Sequence, residues 1–326
     1  MQMSIRETDR GAREAKAGLS RASSSRLRNG RLLFFMTLPF LGIIFLFSYV
    51  PLFGWSFAFF DYKAGFDLLK TPFVGLKYFI APFANEYLRA DVLRVLRNTL
   101  VMSGLGLTLS TLLPMFYAIL LAEIGRGWYR KAVQTLTTIP HFISWVLVYS
   151  VVWALFSLND GFVNHLLVSL GLTQEPVNFL GSADNVWLTM WGYSAWKNLG
   201  WSSIMFISAL TSIDAEMYEA ADIDGAGRFQ RMFAITIPCL MPTFFVLLVL
   251  AIGNLLNNGM EQYYIFQNAM NKNDIEVLDL FVYNQGIRGS SISFATAVGM
   301  LKSLISLGLL FGANRLSKAV RGESVF

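Results

Sequence analysis

The sequence has little charge and almost no cysteine. Asp, Glu, Lys and Arg make up 14% of its 326 residues, whereas 55% are hydrophobic and the mean hydropathy is +0.50. A soluble globular domain carries about 25% charged residues, so water is not the main solvent of this chain. The single cysteine, Cys239, excludes an intrachain disulfide and a cysteine-based metal site.

Motifs of common enzyme chemistry are also absent. The sequence has no G-x-x-x-x-G-K-[ST] phosphate loop, so it does not supply the usual ATP site. It has no H-E-x-x-H or G-x-S-x-G motif and no pair of carboxylates within an apolar run. Its two histidines, His141 and His165, stand far apart without a flanking ligand pattern. We therefore expect no enzyme activity, no bound metal and no cofactor in this chain.

Six long apolar runs dominate the sequence. Each holds at least the roughly 20 residues that a helix needs to cross the hydrocarbon core of a bilayer. The first run is too long for a cleaved signal peptide. We therefore predict an all-α membrane protein with six transmembrane helices. The predicted spans are residues 32–60, 98–122, 135–156, 187–211, 237–257 and 292–314.

Positive charge is distributed unevenly between the segments that join these runs. Sixteen Lys and Arg residues fall on one side of the predicted bundle, eight of them in residues 1–31, and eight fall on the other side. Cytoplasmic loops carry the excess of Lys and Arg, so both termini are predicted to be cytoplasmic. The predicted organisation is a basic tail (1–31), a six-helix domain (32–315) and a C-terminal tail (316–326). This placement of charge indicates membrane topology, not nucleic-acid binding.

One cytoplasmic loop, residues 212–238, has a pattern of its own. It predicts two short helices joined by a break at Gly225 and Gly227, with Asp214 as the N-cap of the first helix. Apolar residues from Phe229 onward recur on one helical face, and Pro238 opens the fifth span. Periodicity alone fits an amphipathic linker on the lipid headgroups equally well.

The same loop resembles a known motif. Glu219-Ala220-Ala221, Gly225 six residues after Glu219, and Ile237-Pro238 resemble the EAA signature of ABC importer permeases, with Ile237 where the family has Leu. The resemblance implies a coupling helix that sits in a cleft of a cytoplasmic ATPase subunit. The residues that it assigns to this contact are Glu219, Ala220, Ala221, Asp222, Gly225, Ala226 and Phe229.

Further segments resemble the branch of these permeases that handles oligosaccharides and polysaccharide fragments, and most of all the first membrane subunit of alginate importers. The segments are residues 73–79, 98–100, 139–145, 253–257 and 294–299. The resemblance implies a type I permease fold in a bacterial inner membrane. It also implies a second homologous permease, two ATPase subunits that bind ATP and Mg, and a periplasmic solute-binding protein that delivers an oligosaccharide.

Two lysines fall inside predicted spans, Lys197 in the fourth and Lys302 in the sixth. Ionisable residues at this depth are costly and indicate function, or else pair with a carboxylate or carbonyl. As part of a substrate pathway, they would favour an acidic oligosaccharide of the uronate type. The other predicted pathway residues are Tyr193, Trp196, Asn198, Asn254, Asn257 and Asn258. His141 is predicted to compensate a carbonyl freed by Pro140.

Three alternatives stay open on the residues alone. A permease for neutral oligosaccharides needs no lysine in the pathway. An ion-coupled secondary transporter needs carboxylates within the spans, whereas Glu123, Asp160 and Asp214 fall at or beyond span ends. A membrane scaffold would leave both lysines as structural partners only.

Overall fold

The computed structural model describes residues 33–125 and 127–321. The described residues divide into two units, 33–56 and 57–321. The predicted basic tail (1–31) and the last five residues of the predicted C-terminal tail lie outside the described residues.

The described residues are almost entirely helical, in accordance with the predicted all-α class. The helices are α1 Leu33–Phe59, α2 Lys77–Ala84, α3 Glu86–Ala122, α4 Gly127–Phe142, α5 Trp145–Phe156, α6 Phe162–Ser169, α7 Val186–Ser202, α8 Ile204–Thr211, α9 Ala215–Ile223, α10 Arg228–Gly253, α11 Glu261–Phe266, α12 Lys272–Ile275, α13 Leu278–Tyr283 and α14 Ile292–Arg321.

The described part of the first unit, residues 33–56, is helical throughout, and none of its side chains is buried. A helix that is apolar on all sides is suited to a membrane. In the second unit, α10 packs along α14 and α4 packs against α7. Glycines permit both approaches, because a Cβ on Gly253 would lie 2.6 Å from a methyl of Leu310 and one on Gly200 would lie 2.3 Å from the Thr137 carbonyl oxygen.

Three helices widen into a π-helical turn directly before a proline. The π turns span Phe45–Tyr49, Thr108–Leu112 and Met232–Thr236, and Pro51, Pro114 and Pro238 follow them within two residues. Proline lacks an amide hydrogen, and its ring clashes with the carbonyl four residues earlier in a regular α-helix. The wider turn lets each helix continue through the proline.

Four described helices, α1, α3, α10 and α14, are long and apolar enough to cross a membrane, and α4 with α5 makes a fifth if they form one span. The predicted fourth span is present as α7 and α8, of 17 and 8 residues. The count of six spans therefore stays a prediction.

The structure changes four features of the predicted spans. The third predicted span is bent by 108° between α4 and α5. The expected second helix of the loop is the first part of α10, which runs without interruption from Arg228 through Pro238 to Gly253, so Pro238 does not open a new helix. Asn254 and Asn257 lie beyond the end of α10, whereas α14 extends past the predicted end at 314 to Arg321.

Candidate functional site

A cavity of about 310 Å³ lies between α3, α7 and the end of α10, and we call it the central cavity. Hydroxyl and amide side chains supply most of its polar surface, with Trp191 and Tyr263 as aromatic rings. Its polar lining residues are Ser103, Ser110, Ser194, Asn198, Ser202, Asn254, Asn257, Asn258 and Gln262. Among the described residues that line it, none is Asp, Glu, Lys, Arg or His.

Hydrogen bonds between neighbouring helices fix the walls of the central cavity. The Ser103 hydroxyl lies 2.7 Å from Oδ1 of Asn258, whose Nδ2 donates to the Thr99 carbonyl oxygen at 3.3 Å. The Ser194 hydroxyl donates to Oε1 of Gln262 at 2.7 Å, and Nε2 of Gln262 donates to the Met190 carbonyl oxygen at 2.8 Å. Side chains held in this way present their remaining lone pairs and hydrogens in fixed directions.

Tyr263 adds a neutral phenol to this lining. Burial raises the pKa of its hydroxyl above the ordinary value, so the phenol stays protonated at physiological pH. The central cavity therefore offers neutral donors and acceptors beside aromatic faces.

Four of the eight predicted pathway residues line the central cavity: Asn198, Asn254, Asn257 and Asn258. The other four lie elsewhere. Tyr193 stacks on Phe266 in the hydrophobic core, with ring centroids 5.0 Å apart. Trp196 is half exposed and does not line the cavity.

Lys197 is buried, and its ammonium is bound within the chain. Nζ donates to the carbonyl oxygens of Pro140, His141 and Ile143 at 3.3, 2.6 and 2.5 Å. These carbonyls lie at the bend between α4 and α5, where helical partners are missing. An ammonium has three hydrogens, so this geometry gives Lys197 a structural role and leaves it outside the central cavity.

His141 has a different environment from the predicted one. The carbonyls at the bend are compensated by Lys197, whereas the His141 ring stacks on Trp201 with centroids 4.5 Å apart. Its Nδ1 lies 3.0 Å from Oδ1 of Asn198, a residue of the cavity wall. The histidine thus connects the bend to the cavity.

Lys302 also has a partner inside the chain. Its ammonium forms an ion pair with Oδ1 of Asp279, and Oδ2 of Asp279 accepts a hydrogen bond from the Gly259 amide at 2.8 Å. This pair joins α14 to α13 and to the end of the Asn254–Gly259 turn. Both lysines of the predicted spans are therefore held by groups of this chain, Lys197 by backbone carbonyls and Lys302 by a carboxylate.

The loop at the other end of α10 has the predicted helix break. Asp214 caps α9 by accepting from the Glu216 amide at 3.1 Å, and Gly225 adopts φ +75°. An ion pair between Asp222 and Arg231 spans the break. Ile223 and Phe229 are 86% and 77% exposed, so apolar surface faces away from the protein at this point.

Residues 110–322 match the family described as the inner membrane component of binding-protein-dependent transport systems. The chain belongs to this family. It is a transport permease and not an enzyme, and the predicted ABC importer permease family is confirmed.

Relatives match nearly the full length of the permease. Protein LplB of Bacillus subtilis (strain 168) is 38% identical over 310 residues, which cover 95% of this chain and 96% of LplB. The polygalacturonan/rhamnogalacturonan transport system permease protein YteP of the same strain is 37% identical, with 92% of each chain covered.

A solved structure confirms the type I permease fold. A chain of a bacterial ABC transporter involved in the import of the acidic polysaccharide alginate superimposes with a TM-score of 0.81 and 32% identity, over 91% of this chain and 98% of that chain. A second structure of the alginate transporter, in complex with an alginate pentasaccharide-bound periplasmic protein, also gives a TM-score of 0.81.

Most of the polar and aromatic lining of the central cavity was not predicted from the sequence. Ser103, Ser194, Trp191, Gln262 and Tyr263 were not predicted to line it. Hydropathy locates a span but does not tell which face of the helix is turned inward. Gln262 and Tyr263 also fall in a segment assigned to a loop, and only the short helix α11 brings them back against α7.

Proposed function

We propose that this permease forms half of the translocation pathway of an ATP-driven importer for an oligosaccharide of the acidic, uronate type. The central cavity supports a sugar as the cargo, and the relatives support its acidic character. Its amides and hydroxyls match the hydroxyl groups of a sugar, and Trp191 and Tyr263 offer the rings on which a pyranose face can stack.

The relatives support a sugar as the cargo. YteP is named for polygalacturonan and rhamnogalacturonan, and the superimposed transporter imports alginate. All three contain acidic sugar units. With 37% and 32% identity over more than nine-tenths of this chain, a cargo of the same chemistry is the simplest inference.

The permease depends on partners for its energy. In this proposal a second homologous permease completes the pathway, two ATPase subunits bind ATP and Mg, and a periplasmic binding protein delivers the sugar at the face opposite the Gly225 loop. Both termini then lie in the cytoplasm, beneath the inner membrane. The exposed Ile223 and Phe229 beside the Gly225 break are the surface that an ATPase cleft would cover.

The test is uptake by the complete transporter in proteoliposomes. We expect ATP-dependent uptake of tetragalacturonate to exceed uptake of its fully methyl-esterified form, which has the same backbone without the charge. Uptake that needs an ion gradient instead of ATP would contradict the proposal of an ATP-driven importer. Uptake of neither sugar would contradict the proposed cargo.

A permease for neutral oligosaccharides is the second candidate, because the central cavity has no charged lining residue among those described. Equal uptake of the acid and its methyl ester would favour it.

A further inference from the structure

A second cavity, of about 500 Å³, lies between the first turns of α3 and the segment from α11 to α14. We call it the outer cavity. It differs from the central cavity in its charge, because its lining includes Asp91, Arg94, Lys272, Glu276 and Arg288. Cavities of about 300–1,000 Å³ are the usual size for small-ligand sites.

The carboxylates of the outer cavity are already paired. Nη2 of Arg94 lies 2.9 Å from Oε2 of Glu276 and 3.2 Å from Oδ1 of Asp91. The other oxygen of Glu276 accepts from Nδ2 of Asn284 at 2.8 Å. Glu276 is buried, so this pairing with a guanidinium and an amide forms a fixed floor.

The two remaining cations of the outer cavity are unpaired. Within the described part of the chain, neither Lys272 nor Arg288 has a side-chain hydrogen bond or an ion pair, and both are exposed at the rim. Three cations face two carboxylates, so the cavity carries an excess of positive charge. A cavity entrance that carries charge of one sign attracts ligands of the opposite charge.

Two buried polar atoms of the same cavity also lack partners. Nε2 of Gln267 and Oδ1 of Asn284 are out of contact with solvent and form no hydrogen bond within the chain. Buried polar groups are nearly always hydrogen-bonded, so each exception calls for an explanation. A donor and an acceptor beside two free cations are the groups that a hydroxylated carboxylic acid would satisfy together.

We propose that the outer cavity is a binding site for one acidic sugar unit. Lys272 and Arg288 hold its carboxylate, while the side chains of Gln267 and Asn284 turn toward the ligand, so that Gln267 donates to a hydroxyl oxygen and Asn284 accepts a hydroxyl hydrogen. The choice of ligand rests on the proposed function, but the site is separate from the central cavity. It accounts for charge selection in a permease whose two span lysines, Lys197 and Lys302, are both bound to groups of the same chain.

The two cavities share helix α3. Arg94 lines the outer cavity and Ser103 the central one, nine residues further along. At 1.5 Å per residue they are roughly 13 Å apart along the helix axis. An acidic unit held at the outer cavity therefore lies on the approach to neutral donors and acceptors deeper in the bundle.

The test is direct binding to the complete transporter in lipid nanodiscs without its binding protein, measured by calorimetry with tetragalacturonate and with its methyl ester. The variant is Lys272→Gln with Arg288→Gln. The control is Lys77→Gln with Arg89→Gln, which removes the same two residue types from outward segments but not from this cavity. Charge-assisted hydrogen bonds are the strong ones, so we expect the variant to weaken binding of the acid at least tenfold, the methyl ester to be unaffected, and the control to change neither.

Equal binding of the acid by variant and control would overturn the site, and so would a wild-type transporter that prefers the ester or binds neither probe. Loss of affinity for the sugar-free binding protein alone, with sugar binding intact, would make the cavity a protein-docking surface and overturn the proposal. Uptake in proteoliposomes tests the proposed function separately. If both double-substituted transporters import tetragalacturonate equally well, the proposed function stands but the outer cavity is not a binding site.

Gln267→Leu separates binding from folding. Removing an unpartnered buried amide is neutral or stabilising, so we expect the apparent unfolding temperature to stay or rise while affinity for both probes falls severalfold. Unchanged affinity for both would contradict the assigned role of Gln267.

Discussion

Two sharp breaks between helices are built in opposite ways. Between α4 and α5, the ammonium of Lys197 binds three backbone carbonyls from inside the bundle. At Gly225, between α9 and α10, the chain turns through a positive φ and leaves Ile223 and Phe229 exposed. The first break is therefore complete within this chain, whereas the second leaves apolar surface exposed that a partner could cover.

Replacing the lysine of the first break should have the largest effect. Lys197→Met keeps much of the side-chain volume but leaves buried carbonyls unpaired at the bend. Each unpaired buried group costs about 1–3 kcal/mol, so we expect the free energy of unfolding to fall by roughly 3 kcal/mol and the apparent unfolding temperature to drop by several degrees. Thermal unfolding of the detergent-purified protein measures both.

Lys131→Met is the matched control, since Lys131 is exposed near the start of α4. If both substitutions lower the unfolding temperature equally, the ammonium does not hold the bend. If the Lys197→Met protein keeps its stability but loses its preference for the acidic sugar, Lys197 acts in the substrate pathway instead.

A substitution at the second break should reduce transport more than it reduces the stability of the protein. Gly225 has φ +75°, a conformation that costs a residue with a side chain about 1–2 kcal/mol and is worst for a β-branched one. We expect Gly225→Val to abolish co-purification of the ATPase subunit and ATP-driven uptake, with a modest loss of stability.

Gly227 provides the matched control, because its φ of −69° suits any residue and open space surrounds its Cα. Gly227→Val should retain the ATPase. Assembly and uptake that survive Gly225→Val would show that the coupling-loop assignment is wrong.

The two breaks also differ in how far the sequence predicts them. Gly225 and Asp214 are local signals, since a glycine permits positive φ and an aspartate caps a helix wherever they occur, and the structure has both. The bend beside Pro140 depends on Lys197, 57 residues away in sequence from Pro140. Such a contact follows from packing of α4 against α7, and hydropathy carries no information about it. Only the asparagines of the central cavity were predicted, for the same reason: amides near span ends are visible in sequence, but the serines that face them are not.

The ion pair across the second break should have the smallest effect. Asp222 and Arg231 join α9 to α10, and the Asp222 side chain is 58% exposed, so water and salt screen the pair. Exposed pairs contribute about 0–1 kcal/mol; we therefore expect Asp222→Asn to leave the unfolding temperature within a degree or so. The pair joins α9 to α10 across the break, and without it a freer α9 should couple ATP hydrolysis less tightly to uptake. The ratio of sugar imported to ATP hydrolysed should fall in Asp222→Asn and stay unchanged in Glu216→Gln, an exposed carboxylate on the same helix without this partner. An equal ratio in both variants would show that the pair has no part in coupling.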